Sequence, residues 1–326
     1  MFSLGKIRRG SWPLPGQSVT SSLVPLFAKH ICVCIVNIAT CFGKLVNRLQ
    51  PSESEKLQVQ QHLYTIKNRL TTTFNIRRFL TGGSFSRDTF IRGGSDVDLF
   101  TVISKKDVTW GNGLVSSETT LNNIRAELLK RYSTTLVERD IQAVVVPFSL
   151  GACVEVVPAV FDQMLNGQLP LYLIPDGDGG WMPTCPELHA NYIRQADTRS
   201  GGKLKRVAQL LKYWRESRSP RVTLSSFHIE MILASENICI GVKSYAACFT
   251  ETLQLLAQRE CRALQDPAGV AGYIPAVKTE AQRESTLTSV RYSRDHAKDA
   301  CWRDYSGNTD EAWRQWNIVF NNTFPK

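Results

Sequence analysis

The sequence predicts an α+β protein, with a mixed sheet and helices in its first half and an all-helical second half. Two observations predict this. Short runs rich in Val, Ile, Phe and Leu recur between residues 76 and 160, separated by helical or turn-forming stretches. From about residue 189 the apolar residues recur at the spacing of amphipathic helices. A third observation concerns chemistry. Gly83-Ser84 stands twelve residues before Asp96-Val97-Asp98, inside GGSFSRDTFIRGGSDVDLFTVIS.

The elements follow in order. Lys6, Arg8 and Arg9 precede a polar stretch, SWPLPGQSVTSS, and then an apolar run, ICVCIVNIA. That run is well short of the roughly 20 residues that cross a bilayer, and the polar gap is unlike a signal peptide. The reading is a loose tail over 1–22 and a helix over about 23–48, with no membrane span. Truncation to about residue 23 is expected to leave activity intact. Ser52 or Ser54 in PSESEK can cap the next helix, with acids in its first turn. Leu57, His62-Leu63, Ile66 and Leu70 continue it at helical spacing. FNIRRFLTG reads as a strand ending at Gly82-Gly83. FSRDTF is a short helix, Gly93-Gly94 a turn and DVDLFTVIS a buried strand. Residues 117–132 form a helix with Leu121, Ile124, Leu128 and Leu129 as its stripe. IQAVVVPF and CVEVVPAV are two β-runs with a hairpin signal at Ser149-Leu150-Gly151.

LYLIPDGDGGWMPTCPELH reads as turn-rich from its prolines and glycines. KLKRVAQLLKYWRESR then carries Leu204, Val207, Leu211 and Trp214 on one helical face. FHIEMILASEN follows Ser225-Ser226 as another helix, and others cover roughly 243–264 and 309–320. The domain reading is a tail and helix over 1–48, a sheet-bearing core over 49–200 and a helical lobe over 201–326. No internal repeat is present.

With 43% hydrophobic and 21% charged residues among 326, the chain has enough apolar material for a packed core, and wholesale disorder is excluded. The net charge of +10 suits a polyanionic partner, whether nucleic acid, nucleoside triphosphate or membrane surface, without choosing among them. Nine cysteines without a CxxC pair point to buried, reduced thiols in the cytoplasm rather than to a disulfide framework or zinc site.

In a strand, alternate side chains share a face. Asp96 and Asp98 therefore point one way, and Val97 and Leu99 point into the core. Adjacent carboxylates repel unless a cation lies between them, and hard oxygen ligands favour Mg2+, with Mn2+ as a substitute. Glu155, alternating with Val154 and Val156, supplies a third acid. Three carboxylates on neighbouring strands can hold two metal ions. Gly83 lets backbone approach a phosphate closely. Ser84 adds a hydroxyl, and the following helix turns its free N–H groups toward the anion. Cys153 lies on the Glu155 side and borders the site without acting as a nucleophile. His189, His228 and His296 read as structural and Trp181 as packing.

GGSFSRDTFIRGGSDVDLF, VEVVPAV, YLIPDGDGGW, LLKYW and LSSFH, in this order, resemble the bacterial nucleotidyltransferases related to cyclic GMP-AMP synthase and oligoadenylate synthase. These are the CD-NTases, whose catalytic region is the SMODS-type domain. The resemblance covers roughly residues 50–325. It implies a polymerase-β-like nucleotidyltransferase lobe with a mixed sheet, a C-terminal helical lobe and an active site between them. It implies that Gly83 and Ser84 grip phosphate, and that Asp96, Asp98 and Glu155 are the catalytic, metal-binding acids. Lys212 would contact the donor triphosphate, Ser226 would lie near the same phosphates, and Phe227 would stack on a base. Lys205 and Lys212, seven residues apart, are expected on one flank of their helix; Lys205 reads as a solvated residue. The third acid of the family is usually Asp, so Glu155 is a departure that bears on rate or metal preference. No zinc-binding insertion like that of the animal DNA sensor is present.

The implied function is magnesium-dependent synthesis of a cyclic di- or trinucleotide second messenger from NTPs, with release of pyrophosphate, in anti-phage (CBASS-type) signalling. The implied partners are NTPs, a regulatory protein and a separate effector that reads the product. The basic span 194–221 reads as an exposed helix with triphosphate contacts, not as a groove for long nucleic acid. Three alternatives use the same residues. They are an enzyme that makes linear oligonucleotides or extends RNA ends, a catalytically silent nucleotide-binding module, and a toxin-type nucleotidyltransferase. The long helical half disfavours the last.

Overall fold

The computed structural model describes residues 36–93, 96–148 and 153–326. The expected tail, the first part of the helix over 23–48 and the turns at Gly94 and Ser149–Gly151 lie outside the described residues.

Five strands form the main path of a sheet. In spatial order they are β1 (Ile76–Thr81), β2 (Val97–Ile103), β7 (Cys153–Leu165), β6 (Val144–Pro147) and β5 (Glu138–Arg139). Two more strands, β8 (Leu169–Pro175) and β9 (Trp181–Thr184), extend it from the far end of β7. A small separate hairpin, β3 (Thr109–Trp110) with β4 (Gly113–Leu114), follows β2. The sheet is mixed. β2 and β7 run parallel, with Asp98 opposite Glu155, and the other pairs are antiparallel.

Alternation assigns the two faces. Val97, Leu99, Ile103, Val154, Val156 and Val160 are buried on one face. There they pack with Val59, Leu63, Ile66 and Leu70 of α2 (Glu53–Thr71) and with Leu121, Ile124 and Leu128 of α4 (Ser117–Leu129). Helix α2 starts at a capping box in which Ser52 and Glu55 satisfy each other's end of the first turn. The opposite face carries Asp98 and Glu155, and further along it Val102, Val157 and Ala159 join Tyr172 and Ile174 in a smaller core. The Pro- and Gly-rich stretch read as turns is therefore a hairpin. Leu171, Tyr172 and Ile174 of β8 are buried, and Asp176 accepts the backbone N–H groups of Asp178 and Gly180 to close the turn into β9.

The second half is helical, as expected: α5 (Pro186–Arg199), α6 (Lys203–Ser217), α7 (Ser226–Ser235), α8 (Tyr245–Gln258), α9 (Glu280–Tyr305) and α10 (Thr309–Val319). Between α8 and α9 lies a short pair, β10 (Leu264–Gln265) with β11 (Tyr273–Ile274). The 26-residue α9 has no counterpart in the sequence reading. Its inward stripe is Thr286, Leu287, Val290, Ser293, Ala297 and Ala300, too small and polar to register as an apolar face. Ser293 accepts the Trp214 indole N–H at 2.9 Å, which lets a hydroxyl sit in the core.

The short helix α1 (Ile38–Arg48) packs with these helices. Phe42 meets Trp316 and Phe324 edge-on, at 4.8 and 5.0 Å between ring centres. Ile193 and Ala196 of α5 enter the same core, so helical packing begins before residue 200.

Candidate active site

The turn between β1 and the four-residue helix α3 (Gly83–Ser86) is stitched to the strand that carries the acids. Gly82 donates its N–H to the Asp98 carbonyl at 2.8 Å. The Ser84 hydroxyl donates to the Asp96 carbonyl at 3.2 Å. Gly83 has φ +62°, a left-handed conformation, and a Cβ there would collide with the Asp98 carboxylate. A Cβ at Gly82 would strike the Phe100 ring. Both glycines are therefore required by the closeness of turn and strand, and that closeness brings the turn's backbone against a carboxylate.

Asp98 and Glu155 are half-buried, face each other across the parallel β2–β7 register, and share a side-chain hydrogen bond. Two carboxylates in such contact repel when both are ionised, and a proton or a cation between them relieves that repulsion. Burial and then the Asp98 and Asp96 charges push Glu155 up to about 8. Burial also raises Asp98, against the pull of Arg87. Asp96 lies at the exposed mouth of the strand. Partial loss of hydration raises it, and Arg215 and Arg221 draw it back. Cys153 is raised by burial, then by Asp96 and Glu155, which fits its expected place on their side of β7 and makes it a poor nucleophile. Among the described residues, no group of three or more His, Cys, Asp or Glu side chains stands arranged to hold a metal ion.

The residues expected from the helical half lie differently. Lys212 shares a flank of α6 with Lys205, as expected, but it is buried there. It is 1% exposed, and its ammonium donates to the Glu230 carboxylate and to the Thr89 hydroxyl at 2.9 Å. Lys205 instead reaches Asp88 at 3.1 Å. Ser226 is the first residue of α7 and half-buried; the cap is its neighbour Ser225, which accepts the His228 N–H. The Phe227 ring has the Arg87 guanidinium 5.5 Å from its centre and the His189 ring edge-on at 5.2 Å. The histidines are held by local partners: His189 by Asp266, His228 by the Ile274 carbonyl and His296 by Gln315. Trp181 donates its indole N–H to the Val115 carbonyl.

Sequence reasoning missed four charged residues of this region. Glu230, fully buried, holds both Arg87 and Lys212. Burial would raise its carboxyl, but those two cations outweigh it and bring it down to about 2. Lys212 is itself pushed down by burial, with Glu230 pulling the other way and Arg87 adding repulsion. The two directions are compatible, because the carboxylate sees two cations while the ammonium has one carboxylate that it shares. A signal existed in the sequence: a lone acid inside the apolar run FHIEMILA must find a buried partner. Arg215 and Arg221 also went unread as the cations that face Asp96 most strongly.

Residues 37–197 match the family described as the Second Messenger Oligonucleotide or Dinucleotide Synthetase domain (SMODS). A probable cyclic nucleotide synthase of Bacillus cereus is 24% identical over 282 residues, 74% of this chain and 81% of the relative. The cyclic AMP-AMP-AMP synthase of Escherichia coli is 26% identical over 166 residues, about half of each chain (49% and 50%). Among solved structures, E. coli CdnC in its complex with HORMA-deltaN superposes with a TM-score of 0.66 at 17% identity, covering 88% of this chain and 98% of that one.

Residues 37–197 carry a SMODS domain, and the chain has the fold of the CD-NTases.

The fold agrees. Vibrio cholerae DncV, a cyclic AMP-GMP synthase solved with a linear intermediate, superposes with a TM-score of 0.59 at 15% identity, over 76% of this chain and 70% of that one. The mixed sheet with helices on it, followed by a helical half, is thus the polymerase-β-like architecture of the CD-NTases. No helix among the described residues is long and apolar enough to cross a membrane.

Proposed function

We propose that this chain joins NTPs into a cyclic di- or trinucleotide with release of pyrophosphate, in the cytoplasm, as a second messenger of anti-phage (CBASS-type) defence. The observation that carries the reading is the stitching of the Gly82–Ser84 turn to a strand on which Asp98 faces Glu155. A phosphate-gripping backbone beside paired acids is what nucleotidyl transfer needs.

The chemistry of the donor atoms, rather than their present arrangement, suits a divalent cation. These atoms are hard carboxylate oxygens, and burial with mutual repulsion pushes Asp98 and Glu155 up despite Arg87, which supports a cation as their counter-charge. Asp96, Asp98 and Glu155 would hold Mg2+, which supplies charge neutralisation at the phosphates and a more acidic attacking hydroxyl. The chain's own residues do the rest. Gly83 admits the triphosphate to the turn's backbone, and Ser84 fixes the turn on the acid-bearing strand. Phe227 and Ser226 border the helical side, where the base and the outer phosphates would lie. Arg215 and Arg221 offset the acids at the Asp96 end. Lys212 reaches a triphosphate only by leaving Glu230. Its role in this reading is therefore to shape the phosphate side through Thr89.

Protein engagement of the basic span supports NTPs rather than long nucleic acid as the polyanion. Arg206 bonds Gln50, Arg215 bonds Glu216 and the Leu224 carbonyl, and Arg218 bonds the Ile318 carbonyl. The E. coli CdnC structures, one with ATP and one with a HORMA protein, support NTP substrates and a regulatory protein partner by analogy. The test is pyrophosphate release from NTPs with Mg2+, with Mn2+ and with a chelator. Release in both metals and its loss on chelation are expected; release that persists under chelation contradicts the assignment of the three acids.

A further inference from the structure

Thr89 lies between the Gly83–Ser84 turn and the acid-bearing strand, and it is fully buried. All of its polar groups are used, and they point in two directions. Its N–H donates to the Ser84 carbonyl at 3.0 Å. Its hydroxyl donates to Glu230 at 2.5 Å and accepts from Lys212 at 2.9 Å. Its carbonyl accepts from Lys212 as well, at 3.2 Å. One side of Thr89 thus holds the residue that fixes the turn. The other side holds the buried ion pair that joins α6 to α7. Beside it, Arg87 also reaches Glu230, and Gln209 of α6 donates to the Phe90 carbonyl at 2.9 Å.

We propose that Thr89 is a positioning residue for triphosphate binding: its hydroxyl locks the Gly83–Ser84 turn in register with the Lys212–Glu230 pair of the helical half. The inference rests on the proposed nucleotidyl-transfer reading, because it assigns a purpose to the same turn. A buried hydroxyl costs free energy unless paired, and this one is paired on both its donor and acceptor sides to charged groups, which make the stronger class of hydrogen bond. A valine of the same shape would fill the space equally well, leaving Lys212, Glu230 and Arg87 still compensated by one another. What valine would lose is the hydroxyl's two bonds to those charges, leaving the segment tied to them only by the Thr89 carbonyl and by Arg87.

The experiment uses the full chain and three substitutions. Thr89→Val deletes the hydroxyl at constant shape, Thr89→Ser restores it with less packing, and Thr89→Ala is a second deletion should the valine variant fail to fold. Binding of ATP and GTP analogues that cannot be cleaved between the α and β phosphates is titrated in Mg2+. Hydrogen–deuterium exchange is followed in peptides covering residues 82–90. The expected result for Thr89→Val is roughly tenfold weaker binding, the scale of one hydrogen bond to a charged group, with faster exchange over the turn. Thr89→Ser keeps near wild-type values in both. Unchanged binding and exchange in Thr89→Val, against a wild type that binds, overturn this inference alone. Equal losses in the serine and valine variants overturn it too, because packing rather than the hydroxyl would then be responsible. A wild-type chain that binds no analogue overturns the proposed function together with this inference.

Discussion

A methyl group added at Gly83 would collide with the Asp98 carboxylate and would have to sit at φ +62°. Gly83→Ala is therefore expected to lower nucleotidyl transfer by about 100-fold, the scale of an ångström-sized misplacement in a site of this kind. Gly93→Ala is the control, with a similar left-handed φ of +73° but open space around the added carbon; it should retain most activity. Steady-state rates of the two variants test the pair. Glu230 makes a second residue-scale prediction, about pH. Its folded-state carboxyl is held at about 2, below its ordinary value of 4.5. A carboxyl lowered in this way adds stability that is fully present above the unfolded-state pKa and is lost as pH falls through the folded one. Thermal midpoints of wild type and Glu230→Gln should therefore differ by a constant amount above about pH 5 and converge as pH falls below about 4.5. At neutral pH the loss is expected to be on the order of 3–5 kcal/mol, because two buried cations lose their partner. A gap that stays constant down to pH 3 would contradict the charge assignment.

At the scale of elements, legibility followed pattern strength. Strands β1, β2, β6 and β7 and helices α2, α4 and α6 were read because alternation or helical spacing was carried by large apolar side chains. The β8–β9 hairpin was hidden by Pro170, Pro175, Gly177, Gly179 and Gly180, which serve its turn and edges and left only Leu171, Tyr172 and Ile174 to signal strand. Helix α9 was hidden because Ser293, Ala297 and Ala300 line its inner face. The turn and the acids were legible because their geometry is local, set by glycines and by strand alternation. The position of Lys212 was not, since its burial depends on Glu230 and Thr89, far away in sequence. The same long-range logic governs α1. Phe42 packs against three aromatic rings of α10 and the residues after it, Trp316, Phe320 and Phe324. Phe42→Ala is expected to cost about 3–5 kcal/mol, read from denaturant unfolding. A cost below about 1 kcal/mol would mean that α1 is dispensable to the helical core.

For the whole molecule, the sheet-bearing and helical parts have separate hydrophobic cores, joined near the site by charge and hydrogen bonds through Arg87, Thr89, Glu230 and Lys212. That arrangement puts the acids on one part and the flanking Ser226 and Phe227 on the other. A reaction carried out there would depend on both parts holding register. The reaction proposed for this chain is synthesis of a cyclic nucleotide at Asp96, Asp98 and Glu155. It is tested most directly by incubating the purified protein with all four NTPs and Mg2+, treating the mixture with phosphatase and identifying the products by mass spectrometry, beside an Asp96→Asn/Asp98→Asn control. A phosphatase-resistant cyclic product that is absent from the control is expected. A product that phosphatase trims, or a cyclic product that survives in the control, would contradict the proposal.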